Sequence, residues 1–240
     1  MQRYIDTQRV KRRRTFGLVL TISGLVLMLG AVAASFLYPA YIAFIFGASL
    51  IGLVVSQTGR QIFDRWGRSP RIDEILDAGL KGLDGRYATF HYALGASHAL
   101  FCPSGIFALC TSDLDGKIEY TAGKWLRTPA KPSRFRPSGP RPLAEPARQT
   151  ASEVAALQRT LAKRLKREEV IPVQPILVFL HPNADVEADS APFAAVHVKK
   201  LKAHLRSLPK GNTLSAEEVR TLARAVGLQP GDDQGSDNKR

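Results

Sequence analysis

Cysteine is nearly missing from this 240-residue chain. Only Cys102 and Cys110 are present. That excludes a disulfide framework, and two thiols eight residues apart match no zinc spacing. They read as reduced, small buried hydrophobes. The five histidines, His91, His98, His181, His197 and His204, show no ligand spacing either. His98 reads as a packed or hydrogen-bonded sheet residue rather than a metal ligand. Acidic side chains are also scarce: 21 Asp and Glu stand against 34 Lys and Arg, for a formal net charge of +13. This balance suits nucleic acid, anionic lipid or the water-side flanks of a membrane anchor.

Charge of either sign is absent from two long runs. "FGLVLTISGLVLMLGAVAASFL", 16–37, would span about 33 Å as a helix, enough for a bilayer core of about 30 Å. Tyr38 and Pro39 follow, and a second uncharged run covers 40–59. Basic residues close both outer ends: Arg3, Arg9, Lys11, Arg12, Arg13 and Arg14 before, and Arg60, Arg65, Arg68 and Arg71 after. The pattern predicts a transmembrane hairpin over 15–59, with spans about 16–37 and 40–58. It predicts a cell (inner) membrane protein with both termini in the cytoplasm. The rival is a signal peptide cleaved near "AVA" at 31–33, but the apolar run is long for one and a second span follows. Ala48, Gly52 and Ser56 form a small-residue stripe, read as packing on the first span or as a dimer contact.

The rest divides by composition. Residues 1–14 form a basic N-terminal segment, 60–71 a basic juxtamembrane linker, and 72–208 a cytoplasmic domain. Residues 209–228 carry a last helix, capped by Ser215 and Glu218 and ended by Gly227, and 229–240 a disordered tail. In the domain, a helix is expected from Ile72, then short antiparallel strands through "ATFHYAL", "SHALFC", "IFALCT", "KIEYTA" and "GKWL". A loop over 127–149 holds six prolines and six basic residues. Then come a helix over about 150–169, the apolar strand "VQPILVFLHP", a short "AAVHV" strand and the basic helix "KKLKAHLRSL".

The order of "SHALFCPSGIFAL", "DGKIEYTAGKW", "EPARQ" and "VQPILVFL" resembles the nuclease-related (NERD) domain family. The resemblance covers 72 to about 205. It implies an α/β, restriction-endonuclease-like fold, a mixed sheet flanked by helices. It also implies a catalytic set of two acids and a lysine around Mg²⁺. Here those positions hold Ser97, Cys110 and Ser112, which supply no such charge. Glu74 and Gln149 are the family-like residues that remain. The expectation is therefore a membrane-anchored domain without hydrolytic activity and without a cofactor, acting by binding.

Nucleic acid phosphates, or anionic lipid at the flanks, would meet Arg127, Lys131, Arg134, Arg136, Arg141, Arg148, Lys199, Lys200 and Lys202. The alternatives are a Mg²⁺-dependent nuclease with carboxylates relocated to Asp113, Asp115 or Glu119, and a membrane scaffold or signalling protein that binds another protein. A solvated basic loop is the plain reading of 127–148.

Overall fold

The computed structural model describes residues 1–67, 69–130, 139–143, 146–165 and 171–209, with residues 217, 220, 221 and 224. The expected last helix and tail lie almost wholly outside the described residues, as do Lys131, Arg134 and Arg136. The chain forms two compact units. One is Thr7–Arg71; the other joins Met1–Asp6 to everything from Ile72 onward.

The first unit is a helical hairpin, α1 (Thr7–Leu37) and α2 (Ile42–Gly67), linked by a short turn at Pro39–Tyr41. Both helices are long and apolar enough to cross a membrane. Both run past the uncharged stretches, so Arg9 to Arg14 and Arg60 to Arg65 are helical. Phe16, Val19, Val26, Phe44 and Ile51 lie exposed on the outer surface. The contact between the helices is made by small residues. Val10, Gly17, Gly24 and Ala31 are the buried positions of α1, and Gly52 and Gly59 those of α2.

A Cβ at Gly24 would stand 2.4 Å from the Ser56 nitrogen, and one at Gly59 would stand 2.4 Å from the Thr21 nitrogen. The backbones touch because no side chain separates them. Gly52 and Ser56 of the four-spaced stripe therefore face α1, as the packing reading expects.

The second unit is α/β with two mixed sheets. Its elements are β1 (Gln2–Ile5), α3 (Ile72–Leu80), β2 (Ala88–His91), β3 (His98–Cys102), β4 (Gly105–Ser112), β5 (Gly116–Thr121), β6 (Lys124–Thr128), β7 (Arg141–Pro142), α4 (Pro146–Leu165), β8 (Val173–Phe179), β9 (Ala184–Glu187), β10 (Ala194–His197) and α5 (Val198–Ser207). The larger sheet has the order β1-β2-β3-β4-β8-β10, and the smaller β7-β6-β5-β9. In the larger, β2, β3 and β4 are antiparallel neighbours, while β8 runs parallel to β4 after crossing over through α4. The expected single meander thus splits at the "DLDG" turn, where β5 leaves for the second sheet.

Gly116 makes that turn. Its φ is +89°, and a Cβ there would lie 2.1 Å from the Thr128 carbonyl oxygen. Gly116→Ala is expected to cost roughly 2 kcal/mol or more, from positive-φ strain plus overpacking, read as a fall in the urea midpoint.

Side-chain alternation gives the larger sheet two faces. Ala88, Phe90, Ala99, Phe101, Ile106 and Ala108 pack on Leu157 and Leu161 of α4. Leu100, Cys102, Phe107 and Leu109 point the other way, onto Leu76 and Leu80 of α3 and Leu201 and Leu205 of α5. α4 starts at Pro146, inside the stretch expected to be loop, because proline is tolerated in a first helical turn.

The largest departure is β1. Residues 2–5, expected to be part of a basic N-terminal segment, form the edge strand beside β2, in parallel register from Gln2↔Ala88 to Ile5↔His91.

Candidate functional site

The two sheet faces carry two polar constellations. The first is built on Ser97, Cys110 and Ser112. β3 and β4 pair with Ala99 opposite Ala108. Continuing that register by two residues sets Ser97 opposite Cys110, and alternation puts Ser112 on the same face. Cys110 and Ser112 therefore share one face of β4, and Ser97 stands just before β3.

Among the described residues a carboxylate that was not expected there bonds Ser97. Glu153 accepts from the Ser97 backbone N–H at 2.6 Å and from Ser97 Oγ at 2.8 Å. Nothing in the spacing of α4 marked Glu153 out. Gln149, one turn earlier, is exposed, and Glu74 belongs to α3 on the opposite face.

Cys110 packs with Ile118, Trp125, Leu177 and Phe179. Burial, reinforced by the Glu153 charge, pushes its thiol up to about 12. A protonated thiol among apolar groups is a poor metal ligand and a poor nucleophile. The carboxylates considered for a relocated site are placed elsewhere. Asp113 is exposed. Asp115 pairs with Arg127, whose hydrogen bond holds it below the usual carboxylate range. Glu119 pairs with Lys117 at 2.9 Å in the second sheet. Among the described residues no group of three or more His, Cys, Asp or Glu is arranged to hold a metal.

With both oxygens engaged, Glu153 ties α4 to the turn between β2 and β3. Glu153→Gln keeps the shape but offers one acceptor where two donors wait. The expected loss is about 1–2 kcal/mol in urea unfolding, since a half-buried donor loses its partner.

The second constellation lies on the α3 face and was not anticipated. Asp73 and Asp77 are one helical turn apart on α3. The Asp73 side chain is wholly buried and that of Asp77 is 13% exposed. Thr89 Oγ1 donates to Asp77 Oδ1 at 3.2 Å, and His91 Nε2 lies 3.0 Å from the same oxygen. His91 and His98 are cross-strand partners with their Nδ1 atoms 2.8 Å apart. One of those nitrogens must carry the proton and the other accept it, so the contact requires at least one neutral ring.

Tyr92, at a φ of 62°, turns its ring against His98. Arg3 closes the cluster: its guanidinium donates to Asp73 at 3.3 Å, and its Nε lies 2.5 Å from Asp77 Oδ2 as an ion pair. The sequence held a partial signal. Asp73 and Asp77 interrupt the apolar spacing of Leu76 and Leu80, and two histidines flank one turn.

Part of the expected basic surface is engaged within the fold. Arg127 is engaged with Asp115 through its side chain and through the Asp115 carbonyl at 2.9 Å. Arg141 sits directly opposite Arg127 on β7. Lys202 donates to the Lys81 carbonyl at 2.7 Å, and Arg206 to the Gly82 carbonyl, so α5 caps the end of α3. Arg148, Lys199 and Lys200 are exposed. His197 caps α5, accepting from the Lys199 N–H at 3.1 Å.

Comparison with protein-family models, curated proteins and solved structures returns no match to this chain.

Proposed function

We propose that the chain is a two-span protein of the cell (inner) membrane whose water-side domain is cytoplasmic, has a nuclease-related, restriction-endonuclease-like architecture, and works by binding rather than by hydrolysis. The observation that carries this reading is the Ser97, Cys110 and Ser112 constellation. Register supports its being the equivalent of a nuclease site: Cys110 and Ser112 share one face of β4, and Ser97 stands just before β3. The element order supports it too, with a helix, a meander, a hairpin, a helix and a returning parallel strand. The chemistry at those positions opposes hydrolysis. Mg²⁺ needs several oxygen ligands, usually charged, and the carboxylate bonded there among the described residues, Glu153, is held by Ser97.

The strand order supports the membrane topology. β1 precedes the hairpin and β2 follows it, yet they are neighbours in one sheet. A hairpin that crosses and returns leaves its two flanks on the same side, as this pairing needs. Cleavage after "AVA" would remove β1, and with it Arg3, one of the partners of Asp73. The basic helical ends, Arg9 to Arg14 and Arg60 to Arg65, would then lie at the headgroup level, where arginine and lysine attract anionic lipid.

Nucleic acid is the ligand to test first, because Arg148, Lys199 and Lys200 are exposed and the 131–138 segment adds three cations. The full chain in neutral-lipid nanodiscs is titrated with short DNA and RNA at two salt concentrations, with Mg²⁺ present. Binding that weakens steeply with salt, without cleavage, is the expected result. Cleavage abolished by EDTA would overturn the non-hydrolytic reading. Absence of binding would overturn nucleic acid as the ligand and leave anionic lipid or a protein.

A further inference from the structure

Resting on the nucleic-acid reading above, we propose that the ligand lies on α5 and the chain leaving α3, on the side of the larger sheet away from α4, and that this surface reads the phosphate backbone alone.

α5 is "VKKLKAHLRS", three lysines and an arginine without an acid. Val198, Leu201 and Leu205 are buried in the core shared with α3. Helical spacing then turns Lys199, Ala203 and Arg206 outward, and all three are exposed. Lys202 stands at the edge of that face. Its ammonium donates to the Lys81 carbonyl at 2.7 Å, and Arg206 to the Gly82 carbonyl at 3.5 Å. The row 199, 202 and 206 therefore runs beside the end of α3, where Lys81 and Arg86 are also exposed. Burial raises the Tyr87 phenol, and Arg86 and Arg206 both oppose that rise, so the two guanidiniums converge there. Asp84 is the acid of this segment, and it pairs with Arg86. Among the described residues Lys81, Lys199, Lys202 and Arg206 form no ion pair.

α4, on the other sheet face, offers less. Arg148 and Arg164 make further contacts within the chain, and Arg159 Nε donates to the Ala155 carbonyl of its own helix. Its cations are spread over about 24 Å, whereas 199 to 206 covers about 10 Å. A phosphate backbone rewards the denser row, because its own charge is dense.

The residue types favour nucleic acid over a lipid surface, and backbone over bases. The apolar side of α5 is spent on the core, so the helix has no apolar face to lay into a bilayer. Tyr87 is the one aromatic residue in 80–87 and 198–207, and it is 8% exposed, so there is no platform for stacked bases. Phosphate contacts of this kind fix position and carry no sequence information. Alternation along β4 sets Cys110 and Ser112 with Ile106 and Ala108, on the α4 side. A backbone held on α5 is thereby kept away from the nuclease-like positions.

The test titrates the full chain, in neutral-lipid nanodiscs, with two short DNA duplexes of unrelated sequence over a range of salt. Each phosphate contact contributes about 0.9 to the slope of log K against log salt. Lys81→Gln with Lys199→Gln should lower that slope by about 2 and weaken both duplexes by the same factor. Lys81→Arg with Lys199→Arg keeps the charge and should leave the slope unchanged. Arg159→Gln with Lys163→Gln, on α4, should change it by less than about 0.5. Urea midpoints followed by Trp125 should match wild type in every pair, since all four positions are exposed.

A slope lost in the α4 pair and kept in the Lys81 and Lys199 pair would overturn the assignment, and so would equal losses in both. Unequal weakening of the two duplexes would overturn the backbone-only reading. Absence of binding by the unaltered chain would instead overturn the nucleic-acid reading itself, and this surface with it.

Discussion

The protein should lose stability steadily between pH 9 and 12, and much of that loss should vanish in Cys110→Ala. The thiol is 2% exposed and pushed from 9.0 to about 12, first by burial and then by the Glu153 carboxylate. The sign follows from linkage. In the unfolded chain the thiol ionises near its ordinary value, whereas in the folded protein it stays protonated. The folded state therefore holds more protons in this window, and rising pH favours unfolding. Below pH 9 the contribution is fully present.

Each pH unit above that costs about 1.4 kcal/mol, to a total of about 4 kcal/mol near pH 12. Cys102, also raised by burial, contributes with the same sign. Urea midpoints of wild type and Cys110→Ala across pH 8–12 separate the two. Cys110→Ala should lower the midpoint at pH 8 by a small cavity cost and then show a shallower alkaline slope. Parallel slopes would mean that the thiol ionises freely in the folded state and that the face under α4 is wetter than its packing indicates.

The same residue marks how far the sequence could be read. The period-two alternation of "IFALCT" and its match with "SHALFC" made the strands legible. The apolar runs 16–37 and 40–59 made the two helices legible for the same reason: the signal is local and repeats. Glu153 was not legible, because its partner is 56 residues away and helix α4 carries no mark of which residue faces the sheet's end.

β9 failed the same test, since "ADVE" is short and its pairing with β5 is parallel and distant. The basic residues misled in part. Arg127 and Lys202 look like phosphate binders by composition, yet the fold uses one to hold Asp115 and the other to cap α3. Arg3 is the sharpest case. Within "QRYIDTQRVKRRRT" it reads as one more charge at a membrane flank, and its partners, Asp73 and Asp77, lie beyond the whole hairpin.

Tyr4→Ala should destabilise the α/β unit by about 3 kcal/mol or more, although residue 4 precedes the first apolar helix and the rest of that unit begins at residue 72. Tyr4 is 1% exposed and belongs to the core that α4 covers, beside Phe90, Leu157 and Leu161. Its ring stacks on Phe90 at an interplanar angle of 12°, and Phe90 meets Phe101 edge to face at 5.0 Å. Aromatic truncation in a core typically costs 3–5 kcal/mol, and at an edge strand partial collapse places the expectation at the low end. Tyr4→Phe should cost less than about 1 kcal/mol, because among the described residues the hydroxyl bonds Gln2, two residues away.

The measurement is chemical unfolding of the full chain followed by Trp125, which sits in the neighbouring Cys110 cluster. A fragment beginning at residue 72 should show the same deficit as Tyr4→Ala or a larger one, since it lacks Tyr4 and Arg3 together. If that fragment instead unfolds at the wild-type midpoint, β1 contributes nothing to the fold. The domain would then be autonomous, and the hairpin would be an anchor with no structural claim on what it carries.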